Sequence, residues 1–322
     1  NSYGHQSYMA LAAEEYPDVT FVAMTGDFAA LSGLDNLKNA FTKVYQSRYV
    51  SGVVAGMKLA EMLGDGTLSA EKQPNSFDAD GNVKIGYVGA YNYAEVVSGY
   101  TAFFLGIRSI VPEAHMDVQY TKEWFDIDKE GAAAEALVAK GCVIIGQHAD
   151  STGAPAAVQK LQDAGTICYS IGYNIDMLPT APTAALTSAT NVWSVFYKEL
   201  FEAALNGEEI APDWAKGYDD GAVAVTEFGP SCAAGTAEKV AEVEAALRDG
   251  SLKVFDTATF TVNGETVTSA PCDMTIMDWA TGTVAYQGET YEGIVDGAFE
   301  ESTFRSAPYF TLRIDGIVED AQ

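Results

Sequence analysis

Residues 130–151, EGAAAEALVAKGCVIIGQHADS, decide the fold class. Residues 131–140 are predicted to form a helix, and the apolar run at 142–145 predicts a short buried strand. The polar loop that follows, 146–151, lies where this strand ends and the next helix begins. In an open parallel α/β sheet, ligands bind just beyond the carboxyl ends of the strands, so we expect function at this loop.

The same alternation of short apolar strands and helices continues along most of the chain. Further strands are predicted at 20–24, 83–88, 116–120 and 166–171. One long helix is predicted at 35–63, where small residues such as Gly52 and Gly56 let another element approach closely, and residues 64–82 predict a linker. The alternation is typical of parallel sheets joined by right-handed crossovers.

Length and charge narrow the class of function. The chain has 322 residues, enough for about two domains of ordinary size. It carries 45 acidic and 18 basic residues, a net charge of −27, so its surface repels phosphate backbones and anionic lipids. No nucleic-acid partner is therefore expected. No apolar run approaches the roughly 18 residues that a membrane-spanning helix requires.

Four cysteines, Cys142, Cys168, Cys232 and Cys272, form no CxxC pair and have no metal-ligand spacing. Cys142 and Cys168 each lie five residues before a strand-end loop, so they lie side by side if their strands are parallel neighbours. Two interpretations stay open, a pair of buried thiols or a disulfide, which would indicate an oxidising compartment. The state of Cys232 and Cys272 is also open.

Polar and aromatic side chains follow two neighbouring predicted strands. They are Gln147, His148, Asp150 and Ser151 in the first loop and Tyr173, Asn174 and Asp176 in the second. Trp124 lies in a third strand-end loop, whereas Trp193 lies on a helix predicted at 191–206, where core packing is its alternative role. Together these residues describe a polar pocket with an aromatic wall.

The C-terminal part of the chain is predicted to be β-rich. Asn263-Gly264 supplies the positive φ angles of a tight primed turn and predicts a hairpin at 260–267. The acidic and aromatic segment beyond Cys272 has no predicted place in the fold.

A collinear set of short segments between residue 1 and about residue 256 resembles the basic membrane protein family, substrate-binding lipoproteins of ABC transporters. The segments are NSYG at 1–4, YVSGVVAG at 49–56, KIGYVG at 84–89, AFFLG at 102–106, WFD at 124–126, GQHADS at 146–151, IGYNIDM at 171–177, VW at 192–193 with Tyr197, and DG at 220–221. The set as a whole, rather than any one motif, carries the resemblance.

The resemblance implies an α/β, type I periplasmic-binding-protein fold, in which two lobes with parallel sheets flanked by helices enclose a ligand. The predicted boundaries are 1–82 and 187–221 for lobe 1, 83–186 and 222–256 for lobe 2, and 257–322 for a β-rich C-terminal extension. A further βαβ unit of lobe 1, with part of the ligand contacts, is expected ahead of Asn1.

The resemblance also implies a purine base or nucleoside as ligand, an ABC permease as partner, and an extracytoplasmic location through a lipid anchor that this sequence lacks. No cofactor or metal is expected. Trp124, Trp193 and the loop at 146–151 are similar to those of family members associated with free nucleobases, and the nucleoside-binding branch has Asp where Asn174 stands.

A purine has two flat faces and an edge of donors and acceptors, so it needs aromatic walls and a few fixed polar groups. The expected walls are Tyr3, Trp124, Tyr173 and Trp193. The expected polar contacts are Gln147, His148, Asp150, Ser151 and Asn174, with Asp176 and Asp220 as candidates for sugar hydroxyls or inter-lobe contacts. Helix capping is an alternative role for Asp150, and a loop histidine bonded to backbone is the alternative for His148.

Two other functions stay open: a sensor that signals ligand occupancy to a partner, and an enzyme that acts on nucleosides. The sequence contains no GxSxG, P-loop or HExxH motif, and its only histidines are His5, His115 and His148. A non-enzymatic receptor is therefore the main prediction.

Overall fold

Two sheets, one entirely parallel and one mostly parallel, organise the chain. The computed structural model describes residues 3–278 and 281–320. The helices are α1 Gln6–Glu15, α2 Val44–Gly64, α3 Ala94–Arg108, α4 Ile127–Ala139, α5 Gly153–Asp163, α6 Trp193–Asn206 and α7 Thr236–Arg248. The strands are β1 Phe21–Ala23, β2 Leu37–Thr42, β3 Val83–Gly89, β4 Ala114–Tyr120, β5 Ile144–Gln147, β6 Tyr169–Tyr173, β7 Ala185–Asn191, β8 Asp213–Lys216, β9 Val223–Val225, β10 Pro271–Asp273, β11 Ile276–Asp278, β12 Thr283–Tyr286, β13 Thr290–Glu292, β14 Ile294–Val295, β15 Ala298–Phe299 and β16 Ile317–Glu319.

The larger sheet has the strand order β16-β4-β3-β5-β6-β7-β9, and its neighbours are parallel except for the antiparallel pair β7 and β9. The smaller sheet, β1-β2-β8, is entirely parallel. Helices pack against these sheets, as in other α/β folds. The predicted parallel α/β organisation is therefore confirmed.

The chain passes between the two sheets at several points within the described residues. It leaves β2 of the smaller sheet for α2, returns from β7 through α6 to β8, and leaves again for β9. α2 packs mainly on α3 and also on β7 of the larger sheet. The lobe boundaries proposed from the sequence stay a prediction.

Close packing between α2 and α3 depends on glycine. A Cβ atom on Gly52 would lie 2.1 Å from the carbonyl oxygen of Phe103, and one on Gly106 would lie 2.1 Å from that of Tyr49. Neither distance is possible for a real side chain, so the two helices approach this closely only because both positions are glycine. The close approach predicted from the small residues of α2 is confirmed.

The single helix predicted at 35–63 is wrong in its first part. Residues 37–42 form β2, the central strand of the smaller sheet, and α2 begins only at Val44. All six residues of β2 are buried, Lys38 and Asn39 included, so the sequence LKNAFT shows no alternation of apolar and polar residues. A strand buried on both faces has no period-2 signal, which is why periodicity missed it.

The C-terminal part is β-rich, as predicted. Asn263 and Gly264 have φ angles of 53° and 79°, which confirms the predicted turn, although a single bridge between Val262 and Glu265 is the only pairing beside it in the described chain. The last strand, β16, pairs in parallel with β4 at the edge of the larger sheet. The C-terminal residues thus return to the main body of the protein.

Cys142 and Cys168 are buried free thiols. β5 and β6 are parallel neighbours, as the sequence suggested, and both thiols belong to one apolar cluster. Burial raises the pKa of Cys168 to about 11.

In the part of the chain that the structure covers, no helix has both the length and the apolar character needed to cross a bilayer.

Candidate functional site

A cleft of about 260 Å³ lies where the carboxyl ends of the larger sheet's strands face the smaller sheet. Its lining residues are Met24, Thr25, Glu95, Trp124, Asp150, Tyr173, Asn174, Asn191 and Trp193. Met24 and Thr25 follow β1, and Trp193 is the first residue of α6. The cleft therefore draws residues from both sides of the molecule. Its volume lies just below the usual range of about 300–1,000 Å³ for small-molecule sites.

Trp124 and Trp193 provide two indole surfaces in this cleft. The ring of Trp124 contacts Tyr91, with 5.5 Å between ring centroids, and its carbonyl oxygen accepts a hydrogen bond of 2.7 Å from the backbone N–H of Asp150. Trp193 packs against the apolar cluster that includes Phe196. Both indoles are partly buried and partly open to the cleft, as a stacking wall requires.

A chain of amide and carboxyl groups forms the polar side of the cleft. The Nδ2 atom of Asn191 donates to Oδ1 of Asn174 at 2.9 Å, and Nδ2 of Asn174 donates to Oδ1 of Asp150 at 2.8 Å. Asn174 has a φ of 63°, a left-handed conformation that asparagine tolerates better than most residues. This conformation places its side chain between the other two groups.

Asp150 is a carboxylate whose charge state responds to its surroundings. Burial raises the pKa of Asp150 to about 6, although the Arg48 guanidinium and the hydrogen bond from Asn174 oppose the rise. At neutral pH this side chain is mainly ionised and accepts hydrogen bonds. One oxygen already accepts from Asn174, which leaves acceptor capacity for a ligand.

Arg48, from α2, lies beneath the cleft and is 2% exposed. Its guanidinium carbon lies 3.6 Å from the centroid of the Tyr173 ring, and its Nη1 atom donates to the backbone carbonyl of Gln147. This cation–π contact fixes the Tyr173 ring as the floor of the cleft. The arginine also supplies a buried positive charge that favours the ionised form of Asp150.

Glu95 and His148 form a second polar pair at the cleft. Oε1 of Glu95, in the first turn of α3, lies 3.4 Å from Nε2 of His148, whose side chain is fully buried. Burial raises the pKa of Glu95 to about 8, the negative charge of Asp150 adds to the rise, and Arg48 opposes it. Burial, with the charge of Arg48, lowers the pKa of His148, so the imidazole is neutral.

Five of the residues predicted from the sequence come together in the cleft: Trp124, Asp150, Tyr173, Asn174 and Trp193. His148 lies behind them, with its ring centroid 5.3 Å from that of Tyr173. Their role in binding stays a prediction.

The other predicted residues lie elsewhere. Gln147 and Ser151 are buried in the loop after β5: Nε2 of Gln147 donates to the carbonyl of Ala149 at 2.8 Å, and Oγ of Ser151 accepts from the N–H of Gly153 at 3.1 Å. Asp176 and Asp220 are exposed, with Asp176 accepting from the N–H of Leu178 and Asp220 lying 3.3 Å from Nζ of Lys216. The side chain of Tyr3 lies outside the described part of the chain.

Sequence reasoning missed Arg48, Glu95 and Asn191. A signal for Arg48 existed in the sequence. This charged residue directly precedes YVSGVVAG at 49–56, a stretch that contains no charged residue. Glu95 could have been noticed as the one acidic residue of a mostly apolar helix that follows a strand-end loop. Asn191 was assigned to a helix start, whereas it ends β7.

Among the described residues, no grouping of three or more His, Cys, Asp or Glu side chains could hold a metal ion.

Residues 2–249 match the family described as ABC transporter substrate-binding protein, PnrA-like. A purine-binding protein of Brucella abortus is 32% identical over 255 residues, which cover 79% of this chain and 64% of the relative. A protein of Haloferax volcanii, whose name describes it as an ABC transporter glucose-binding protein, is 30% identical over 259 residues, covering 80% of this chain and 59% of the relative. The chain thus spans less than two thirds of the length of these relatives.

A solved ABC transporter solute-binding protein of Aeropyrum pernix has a similar fold, with a TM-score of 0.61, 13% sequence identity, and coverage of 81% of this chain and 75% of that one. This likeness confirms the periplasmic-binding-protein fold that the sequence predicted. The family match covers far more than half of the sequence. The chain belongs to the family of PnrA-like ABC transporter substrate-binding proteins.

Proposed function

We propose that this chain is the substrate-binding component of an ABC importer and that a purine base binds in the cleft between its two sheets. The observation that carries the proposal is the arrangement of Trp124, Trp193 and the hydrogen-bonded pair Asp150–Asn174 around one cavity. Two indoles suit the flat faces of a purine, and the carboxyl–amide pair suits its edge. The name of the Brucella relative supports the same ligand class.

The proposal includes a closing motion. Because the cleft is lined from both sheets, a ligand that touches both sides stabilises the closed arrangement and shifts the hinge equilibrium toward it. An ABC permease then receives the ligand. We include in the proposal an extracytoplasmic location and attachment to the membrane through a lipid anchor.

A monosaccharide is the second candidate ligand, because the Haloferax relative is named as glucose-binding. Carboxylates and amides such as those of Asp150 and Asn174 also bind sugar hydroxyls. A thermal-shift panel of adenine, hypoxanthine, adenosine and glucose separates the two candidates, because a ligand at a hundredfold of its Kd stabilises the folded state by about 2.7 kcal/mol. We expect a purine to raise the melting temperature, and a response to glucose alone would contradict the proposal.

The proposal assigns no catalytic role to the cleft. Incubation with inosine, followed by chromatography of the supernatant, tests this directly. We expect inosine to be recovered unchanged, whereas release of free hypoxanthine would support a nucleoside-processing enzyme instead.

A sensor would also leave inosine unchanged, so this experiment does not separate it from an importer component. Binding of the ligand-loaded chain to an ABC permease in membranes distinguishes the importer component from the sensor.

Asn174→Asp is expected to shift the preference of the cleft from free bases toward nucleosides. The new carboxylate would replace the amide that donates to Asp150 at 2.8 Å, so the two negative charges would repel each other. A carboxylate turned toward the cleft can accept hydrogen bonds from ribose hydroxyls. Calorimetry with adenine and adenosine measures the ratio of affinities, with Asn206→Asp at the end of α6 as the control. An unchanged ratio would remove Asn174 from the choice between base and nucleoside.

A further inference from the structure

Glu95 lines the cleft, and only one of its two carboxyl oxygens has a partner among the residues that the structure describes. Its side chain is 11% exposed and lines the cavity. Oε1 lies 3.4 Å from Nε2 of His148, whereas Oε2 has no hydrogen-bond partner among residues 3–278 and 281–320. A partly buried carboxyl oxygen without a protein partner is a candidate ligand contact, because leaving it unpaired is unfavourable.

One arrangement of the hydrogen bonds behind Glu95 leaves its carboxyl proton on Oε2. Nδ1 of His148 lies 3.5 Å from the hydroxyl of Tyr87, and this imidazole is neutral. A neutral imidazole has a single N–H. If the Tyr87 hydroxyl donates to Nδ1, the N–H lies on Nε2 and donates to Oε1 of Glu95. Oε1 is then an acceptor, and the carboxyl proton belongs on Oε2.

We propose that Glu95 selects 6-aminopurines, such as adenine, by donating a hydrogen bond from Oε2 to an unprotonated ring nitrogen of the base. His148 acts as the positioning residue. This proposal rests on the proposed function and extends it from purines to one kind of purine. In adenine, the exocyclic amine lies next to a ring nitrogen that accepts a hydrogen bond. Glu95 as donor and Asp150 as acceptor match that pair, whereas hypoxanthine has a carbonyl in place of the amine.

The charges around Glu95 support this division of roles. The charged and titratable groups that face it come from several elements: Tyr87 on β3, His148 and Asp150 after β5, Tyr173 on β6, and Arg48 on α2. Burial and Asp150 raise the pKa of Glu95 to about 8, and the pKa of Asp150 is about 6. Between these two values Glu95 carries its proton while Asp150 is ionised, so one donates and the other accepts.

The pH dependence of adenine binding tests the proposal. If only protonated Glu95 binds the ring nitrogen, affinity falls as pH rises through about 8. Calorimetry with adenine at pH 7, 8 and 9 is expected to show a loss of about tenfold between pH 7 and pH 9. The amide of Glu95→Gln donates at every pH, so this variant is expected to lose the fall. Glu135→Gln, an exposed carboxyl of α4, is the matched control and should keep the wild-type profile.

Two further measurements decide the assignment. Glu95→Ala is expected to bind adenine at least tenfold more weakly at pH 7, with its folding checked by circular dichroism, and wild-type protein is expected to bind adenine more tightly than hypoxanthine. The proposal is overturned if Glu95→Gln keeps the tenfold fall, if Glu95→Ala binds like wild type, or if hypoxanthine binds more tightly. Purine binding without pH dependence would contradict only the role of Glu95. If no purine bound at all, the proposed function would be contradicted as well.

Discussion

Replacing Phe310 with alanine is expected to lower the free energy of unfolding by about 3–5 kcal/mol, the usual range for truncating a buried aromatic side chain. Phe310 is fully buried, and its ring lies 4.3 Å from that of Phe255 and 4.9 Å from that of Phe299, measured between centroids. Alanine would leave a cavity bordered by these two rings. Chemical denaturation of the wild type and the variant measures the difference.

Phe304→Ala is the matched control, because Phe304 is 36% exposed and its truncation opens no cavity in the core. We expect this control to cost far less stability than Phe310→Ala. Equal losses in the two variants would mean that the C-terminal residues are not packed into the core as described. The question matters because the same segment continues to β16, which completes the edge of the larger sheet beside β4.

Trp124→Ala is expected to weaken adenine binding at least tenfold, or about 1.4 kcal/mol, without unfolding the protein. Stacking of one base on an aromatic side chain contributes about 1–3 kcal/mol in nucleic-acid complexes. Trp124 lies in a loop and is only partly buried, so its removal leaves the sheets intact. Isothermal titration calorimetry gives the affinity, and circular dichroism verifies the fold.

Phe125→Ala controls for a general effect on this loop. Phe125 is the next residue along the chain, but it is 64% exposed and does not line the cleft. Because Phe125 makes no contact with the cleft, its removal should leave adenine affinity within about twofold of wild type, or about 0.4 kcal/mol. If Trp124→Ala binds as tightly as this control, the indole takes no part in stacking.

Strands β1, β3, β4, β5 and β6 and the loops that follow them could be predicted from local pattern alone, whereas β2, the central strand of the smaller sheet, could not. Residues 142–145 predicted the strand β5, observed at Ile144–Gln147, and the loop after it carries Asp150 into the cleft. A short apolar strand between two helical patterns permits few arrangements, and ligand sites in parallel sheets form at the strands' carboxyl ends. Trp124 and Asn174 were found by the same rule.

Residues that reach the cleft from helices and from distant parts of the chain could not be predicted in this way. Arg48 lies on α2, 99 positions from the carbonyl group of Gln147 that it binds. Glu95 depends on the fold bringing α3 next to the loop that contains His148. Only tertiary packing creates these contacts: a charged residue beside an apolar stretch marks Arg48 and Glu95 as unusual, but it does not indicate which partner each one meets.

The C-terminal segment was unpredictable for a related reason. Its strands are short, with two to four residues each. Several of its aromatic side chains are buried against residues that are distant in the sequence. Phe310 packs on Phe255, and Glu319 accepts hydrogen bonds from the hydroxyl groups of Tyr100 and Tyr120. An acidic and aromatic composition is compatible with many such arrangements. Composition alone therefore could not predict where this segment packs in the fold.

A crystal structure of this chain with adenine bound tests the central claim most directly. We expect the purine plane to lie against Trp124 in the cleft between the sheets, with its edge within hydrogen-bond distance of Asp150 and Glu95. Adenine found at any other place on the molecule, with this cleft empty, would contradict the account.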